Sequence, residues 1–144
     1  MYGTADRRAY GVALHGRFGQ AYNEEAFRYF LQIERKRAAR ARRPVVLLLL
    51  DLREPPKRMS IDPPLASRLF DCLCGCLRET DVVGWYREDR VAGAVLTQVD
   101  GEVPAEVTAV IRRRVGSALR EGLSADVATH LRVRVYQLRP IPKG

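Results

Sequence analysis

From Asp81 to Gln98 the chain reads Asp-Val-Val-Gly-Trp-Tyr-Arg-Glu-Asp-Arg-Val-Ala-Gly-Ala-Val-Leu-Thr-Gln. Val82, Val83, Trp85 and Tyr86 lead into a polar tip, Arg87-Glu88-Asp89-Arg90, and Val91, Ala94, Val95 and Leu96 lead out of it. β-branched and aromatic residues on both sides of a short charged break predict a hairpin. Two strands alone are marginal in water, so the hairpin needs partners. The clearest is Pro44 to Leu52, Pro-Val-Val-Leu-Leu-Leu-Leu-Asp-Leu. It is apolar on both faces, which predicts a buried central strand with a carboxylate, Asp51, near its end. The expected picture is a sheet with Asp51 and the acidic hairpin tip at neighbouring edges.

The rest of the chain supplies the cover. Asn23 predicts a cap for a helix to about Arg42, with Glu24 and Glu25 in its first turn and an apolar stripe of Phe27, Phe30, Leu31, Ala38 and Ala41. Prolines at 55, 56, 63 and 64 preclude a regular helix or central strand in the link that follows. Asp62 and Pro63 start a second helix to about Arg78, with Leu65, Leu69, Cys72, Leu73 and Cys76 inward. Asp100-Gly101 predicts a turn and Pro104 opens a third helix, closed by Gly122, with Val107, Val110, Ile111, Val115, Ala118 and Leu119 on its apolar face. Leu131 to Leu138 alternates as a strand with one wetter face, near a sheet edge. Residues 1–21 predict an irregular arm with a short strand near Tyr10–Leu14, and 22–144 a single domain. From Pro44 the order is β-α-β-β-α-β, preceded by one helix. That is an α+β, ferredoxin-like or palm-type arrangement, one antiparallel sheet with helices on one side.

The formal charge is +8, and residues 1–43 carry ten Arg or Lys against four Asp or Glu. The excess concentrates between Arg35 and Arg43. Two readings stand: an anionic partner, or a solvated helix face with cations near its C-terminus. Cys72, Cys74 and Cys76 are odd in number, and the only histidines are His15 and His130, so no zinc-knuckle pattern forms. The thiols read as small, half-buried side chains. No apolar run has membrane-span length and no signal peptide is visible, so a cytoplasmic setting is expected.

At this point the residues carry a likeness. From Tyr22 to about Leu138 the chain resembles a GGDEF domain, the diguanylate cyclase family. The matching stretches are Tyr22-Asn23-Glu24-Glu25-Ala26-Phe27, the Arg-rich helix end, Val-Val-Leu-Leu-Leu-Leu-Asp-Leu, and Leu77 to Tyr86. The resemblance implies a palm-type sheet. It places the family's first metal carboxylate on Asp51, a metal-binding carbonyl on Leu52, and the five-residue signature on Arg87-Glu88-Asp89-Arg90-Val91. Only Asp89 keeps its acidic identity there. Glycines at a hairpin tip let a nucleotide approach the backbone, and Arg87 and Glu88 put side chains into that space. Arg90 puts a cation where the family has an acid. At roughly 4 Å a cation facing a divalent metal is repelled by several kcal/mol at protein-like dielectric. The proline-rich link after Asp51 lacks the family's guanine-binding residues, and no counterpart of its last helix follows Leu138. The expectation is a degenerate domain with no catalytic residues, a vestigial metal pair in Asp51 and Asp89, and no cofactor beyond residual Mg²⁺.

One family feature is kept. Arg78-Glu79-Thr80-Asp81 resembles the Arg-x-x-Asp inhibitory-site motif, which in the family binds cyclic di-GMP. The resemblance implies a nucleotide seat at Arg78 and Asp81. A further cation would help offset the ligand's two phosphates, and Arg112, Arg113 and Arg114 are the candidates, with Arg113 the central one. Without a ligand, Asp81 caps the turn and Arg78 is a cation at a helix end. The expected function is binding of a protein partner, a second copy or cyclic di-GMP. One alternative is residual nucleotidyl chemistry on a Mg²⁺ held by Asp51, Glu88 and Asp89. RNA binding ranks last, because Val45–Leu50 and Val91–Leu96 lack the aromatics on which an RRM sheet stacks bases.

Overall fold

The computed structural model describes residues 12–14, 20–54, 57–78, 80–96 and 105–139. In chain order the elements are β1 (Val12–Leu14), β2 (Gln20–Tyr22), α1 (Glu24–Arg40), β3 (Val45–Glu54), β4 (Lys57–Met59), α2 (Pro63–Cys76), β5 (Val82–Arg87), β6 (Val91–Leu96), α3 (Ala105–Gly122), α4 (Ala125–His130) and β7 (Leu131–Leu138). The helix caps act as their sequence implies. Asn23 accepts from the Ala26 N–H and Asp62 from the Leu65 N–H, each at 2.9 Å.

The sheet runs β1-β2-β5-β6-β3-β4, with β7 on the other side of β3. The α+β palm order is therefore present as β3-α2-β5-β6-α3-β7. β3 pairs antiparallel with β6 along Val46–Asp51 and with β7 along Val45–Leu52. Leu52 faces Met59 on one side and Leu131 on the other, so β4 extends the line of β6 beyond the hairpin tip. Within the stretch read as an irregular arm, β1 and β2 pair antiparallel, and β2 adds a parallel edge through Tyr22 and Gly84.

The helices lie on both faces, not one. Val46, Leu48, Leu50 and Leu52 point into a core with Leu69, Phe70 and Leu73 of α2 and Val115 and Leu119 of α3. Phe70 meets Trp85 edge-on at 5.0 Å. Val45, Leu47 and Leu49 point the other way, against Phe27 and Ala38 of α1. α1 thus covers the face that α2 and α3 leave. An amphipathic stripe shows that a helix side is buried, but not which sheet face receives it. Within that stripe Ala41 is exposed, whereas Glu34, a carboxylate, is buried. On α3, Val107 and Val110 are exposed despite their apolar spacing. The predicted turn at Asp100-Gly101 lies outside the described residues.

Two glycines admit α1 and β2. Gly84 and Gly93 face each other across β5 and β6. A Cβ on Gly84 would sit 2.5 Å from the Tyr22 carbonyl oxygen, and one on Gly93 would sit 2.9 Å from Phe27 Cζ. At the other end of α1 the chain closes with the Arg42 N–H on the Ala39 carbonyl and the Arg43 N–H on the Ala38 carbonyl, a Schellman pattern. Arg42 occupies the left-handed position, φ 56°, where glycine is usual.

We expect Gly93→Ala to destabilise the domain by about 1–3 kcal/mol through overpacking against Phe27. Urea unfolding should show a lower midpoint at unchanged slope. A wild-type midpoint would mean that α1 does not press on β6.

Candidate functional site

Asp51 lies on the α1 side of β3, opposite Val91 of β6 and Arg132 of β7, and is fully buried. Two guanidinium groups hold its carboxylate. Arg53, two residues along on the same face, places Nε 3.2 Å from Oδ2. Arg134 of β7 places Nη2 3.8 Å from Oδ1. Arg134 also donates from Nη1 to the Tyr136 hydroxyl at 3.0 Å, which restrains its plane. One negative charge is thus shared by two fixed positive ones. The alternation of β7 already showed Arg132 and Arg134 on one face, but only the β3–β7 register reveals that Arg134 reaches Asp51.

The hairpin tip is fastened to α1. The Glu24 N–H donates to Glu88 Oε1 at 2.9 Å, and the Glu88 N–H donates to Glu24 Oε1 at 2.6 Å. Glu88 therefore satisfies an N-terminal donor of the helix, where the macrodipole favours an anion. The register of β5 shifts between Trp85 and Arg87, and the carbonyl of Tyr86 accepts from Arg28 Nε at 3.2 Å. Arg28 also lies 4.8 Å over the Tyr86 ring and 3.5 Å from Glu24 Oε2. The 64-residue separation of Glu24 and Glu88 made this clasp invisible in the sequence.

Asp51 and the tip share one end of the sheet, as expected. Arg87, Asp89 and Arg90 are exposed, and Val91 is buried. Asp89 takes a left-handed conformation, φ 61°, and its carbonyl accepts from the Ile61 N–H at 2.7 Å. Among the described residues no three His, Cys, Asp or Glu side chains converge as a metal site. The three carboxylates of the Mg²⁺ reading, Asp51, Glu88 and Asp89, are engaged separately. Asp51 is neutralised by arginines and Glu88 is turned to α1. A divalent ion beside Asp51 would meet Arg53 and Arg134, so the residues present do not fit the metal.

Arg78 and Asp81 form a closed turn where α2 passes into β5. The Arg78 N–H donates to Asp81 Oδ2 at 2.9 Å, and the Asp81 N–H donates to the Arg78 carbonyl at 3.0 Å. Both line a groove of about 440 Å³ between the end of α2 and α3. Its apolar wall includes Val107, Val110 and Ile111, and its second cation is Arg114. Arg113, the residue expected in that role, does not line it. On α3 the two are adjacent and point about 100° apart. Cys76 also lines the groove and donates to the Leu73 carbonyl at 3.6 Å. Burial, more than any neighbour, raises the pKa of Cys72, Cys74 and Cys76. Asp71 adds to the effect at Cys72 and Cys74, and Arg114 partly opposes it at Cys76. These are protonated thiols, not activated nucleophiles.

No protein-family model matches the chain, and no curated protein matches it. Solved structures do. The GGDEF domain of FimX from Pseudomonas aeruginosa matches with a TM-score of 0.64 at 17% identity, over 92% of this chain and 85% of that one. Diguanylate cyclase SiaD of the same organism, in complex with its activator SiaC, matches at 0.60 and 17%, over 96% of this chain and 55% of that one. The chain thus corresponds to about half of SiaD. The GGDEF domain of YfiN, also from Pseudomonas aeruginosa, matches at 0.57 and 14%, over 85% of this chain and 73% of that one. At such identities the likeness is one of fold, and this chain has the GGDEF fold.

Two outcomes follow from the geometry. Arg134→Met should destabilise the domain by about 1–3 kcal/mol, less than the ~3–5 of a fully buried broken pair, since Arg134 keeps some solvent. Millimolar Mg²⁺ should leave the melting temperature unchanged, whereas a metal bound only by the folded state would raise it. The thiols set a second trend. Their raised folded pKa means that the stability they confer is complete below the usual value of 9.0. It declines as pH rises from there through the folded values, because the unfolded thiols ionise first. Replacing all three cysteines with alanine should flatten the loss of stability above that pH in urea titrations. An unchanged slope would remove the thiols as its cause.

Proposed function

We propose that this domain works by binding, not by making cyclic di-GMP from GTP, and that its ligand seat is the groove at Arg78, Asp81 and Arg114. The observation that carries the first half is the state of Asp51, whose carboxylate is enclosed by Arg53 and Arg134. Two-metal phosphoryl transfer needs carboxylates that are open to cations. Here Asp51 is instead flanked by two guanidinium groups. The substituted tip adds to this, since Arg87 and Glu88 stand where a nucleotide would need bare backbone.

The second half rests on the groove. Arg78 offers a planar fork to a phosphate or to a guanine edge, and Asp81 can accept from a guanine amide. Arg114 supplies a second positive charge across the groove from Arg78. The apolar wall of Val107, Val110 and Ile111 gives a base or an apolar side chain a surface to cover. Cyclic di-GMP is the ligand that these features fit best. A protein partner is the second reading, favoured by the exposure of Val107 and Val110. SiaD with its activator SiaC is a GGDEF-fold chain in complex with a protein.

Purified protein with GTP and Mg²⁺ or Mn²⁺ should give no cyclic di-GMP above a blank, and turnover abolished by Asp51→Ala would refute the first half. Calorimetry with cyclic di-GMP should show binding that weakens with salt, is lost in Arg78→Ala, and is little changed in Asp89→Ala. Absence of heat at high micromolar ligand would reject the nucleotide and leave the groove to a protein.

A further inference from the structure

The C-terminal half of α1 concentrates charge at the opposite end of β3 from Asp51. Arg35, Lys36, Arg37, Arg40, Arg42 and Arg43 fall within nine residues. Arg139 joins them, because Val45 pairs with Leu138 at the far end of β7. The nearest carboxylate is already committed. Glu34 Oε2 lies 3.1 Å from Arg43 Nη2, and Oε1 lies 3.6 Å from Arg37 Nη1, with the carboxylate almost fully buried. Among the described residues no ion pair engages Arg35, Lys36 or Arg139.

These cations surround a hollow. A cavity of about 360 Å³ is walled by Arg35, Lys36, Arg43 and Arg139 and floored by Val45 and Leu138, with no carboxylate in its lining. Positions 32, 35, 36 and 39 follow one face of α1, Arg37 lies off it, and the closing turn brings Arg43 back beside them. The helix end does not oppose an anion strongly. The carbonyls of Ala38 and Ala39 are taken up by the N–H groups of Arg43 and Arg42. Arg43 uses one arm of its fork on Glu34, while Nη1 is buried without a hydrogen-bond partner among the described residues. A buried donor in that state is costly, and an anion in the cavity would satisfy it.

We propose that this cavity binds a small organic phosphate carrying two or three negative charges. The charge count supports it: four wall cations less Glu34 leave three. Guanidinium forks match phosphate oxygens in pairs, a geometry that a lone carboxylate does not fill as well. The hollow shape and apolar floor suit a compact molecule more than a nucleic-acid backbone, which tracks a row of cations along an open face. The site is separate from the groove at Arg78 and does not rest on it.

Calorimetry on the whole chain tests this with adenosine 5′-diphosphate, inorganic pyrophosphate and adenosine. A second arm uses phosphatidylcholine vesicles with and without phosphatidic acid, which separates a free phosphate ester from a lipid headgroup. Adenosine diphosphate should bind, pyrophosphate should compete with it, and adenosine should not bind. Lys36→Glu with Arg139→Glu, both exposed positions, should weaken binding by at least ~10-fold. Arg78→Ala should leave it unchanged, so this site and the groove fail independently. Melting curves confirm that the variant is folded. Binding to phosphatidic acid vesicles that is lost in the same variant would support the site and identify its source as lipid. No binding in either arm at millimolar phosphate overturns the proposal. So does binding that survives the double variant.

Discussion

A strand that is apolar on both faces must be covered twice, and the rest of this domain follows from that requirement. β3 sends Val46, Leu48, Leu50 and Leu52 to one side and Val45, Leu47 and Leu49 to the other. Each buried leucine contributes about 1.5–3 kcal/mol only if water is excluded from its own face. α2 and α3 close the first face. The second is left for α1, which is why the helix preceding the palm order is not an appendage. Gly84 and Gly93 provide the depth that α1 and β2 need, and the Glu24–Glu88 clasp fixes where the hairpin meets the helix.

That division also marks how far the sequence could be read. The hairpin, β3 and both helix caps were legible because they are local: alternation, turn residues and capping side chains lie within a few positions of what they decide. The side of the sheet taken by α1 was not legible, because periodicity carries no information about a distant partner. Glu34 shows the same limit. It falls on the buried stripe of α1 with Phe27 and Ala38, yet nothing nearby in sequence indicates that Arg43 folds back beneath the helix to meet it. Of the site, Asp51, the hairpin tip and the Arg78–Asp81 turn were visible. Arg53 and Arg134 as the counterions of Asp51, and Arg114 as the one of the three α3 arginines that lines the groove, required the register and the helix rotation.

The electrostatics of the core follow the same logic of satisfied burial. A buried carboxylate must be paired, protonated or metal-bound. Here Arg53 and Arg134 pair the carboxylate of Asp51. Glu34 is held in the same way, between Arg37 and Arg43.

This sharing has a structural use. Val-Val-Leu-Leu-Leu-Leu is degenerate: sliding it by two residues against β6 or β7 keeps the same faces buried and exchanges one leucine for another. Hydrophobic burial alone therefore discriminates weakly among such registers. The charges at the ends of the strand do discriminate. Arg37–Glu34–Arg43 brackets its start and Arg53–Asp51–Arg134 its finish. A slip of two residues against β7 would carry Asp51 away from Arg134 and leave a buried carboxylate short of a partner. Losing Arg134 from Asp51 costs about 1–3 kcal/mol, a sizeable part of a small domain's stability. On this account Asp51, through Arg53 and Arg134, holds β3 in register.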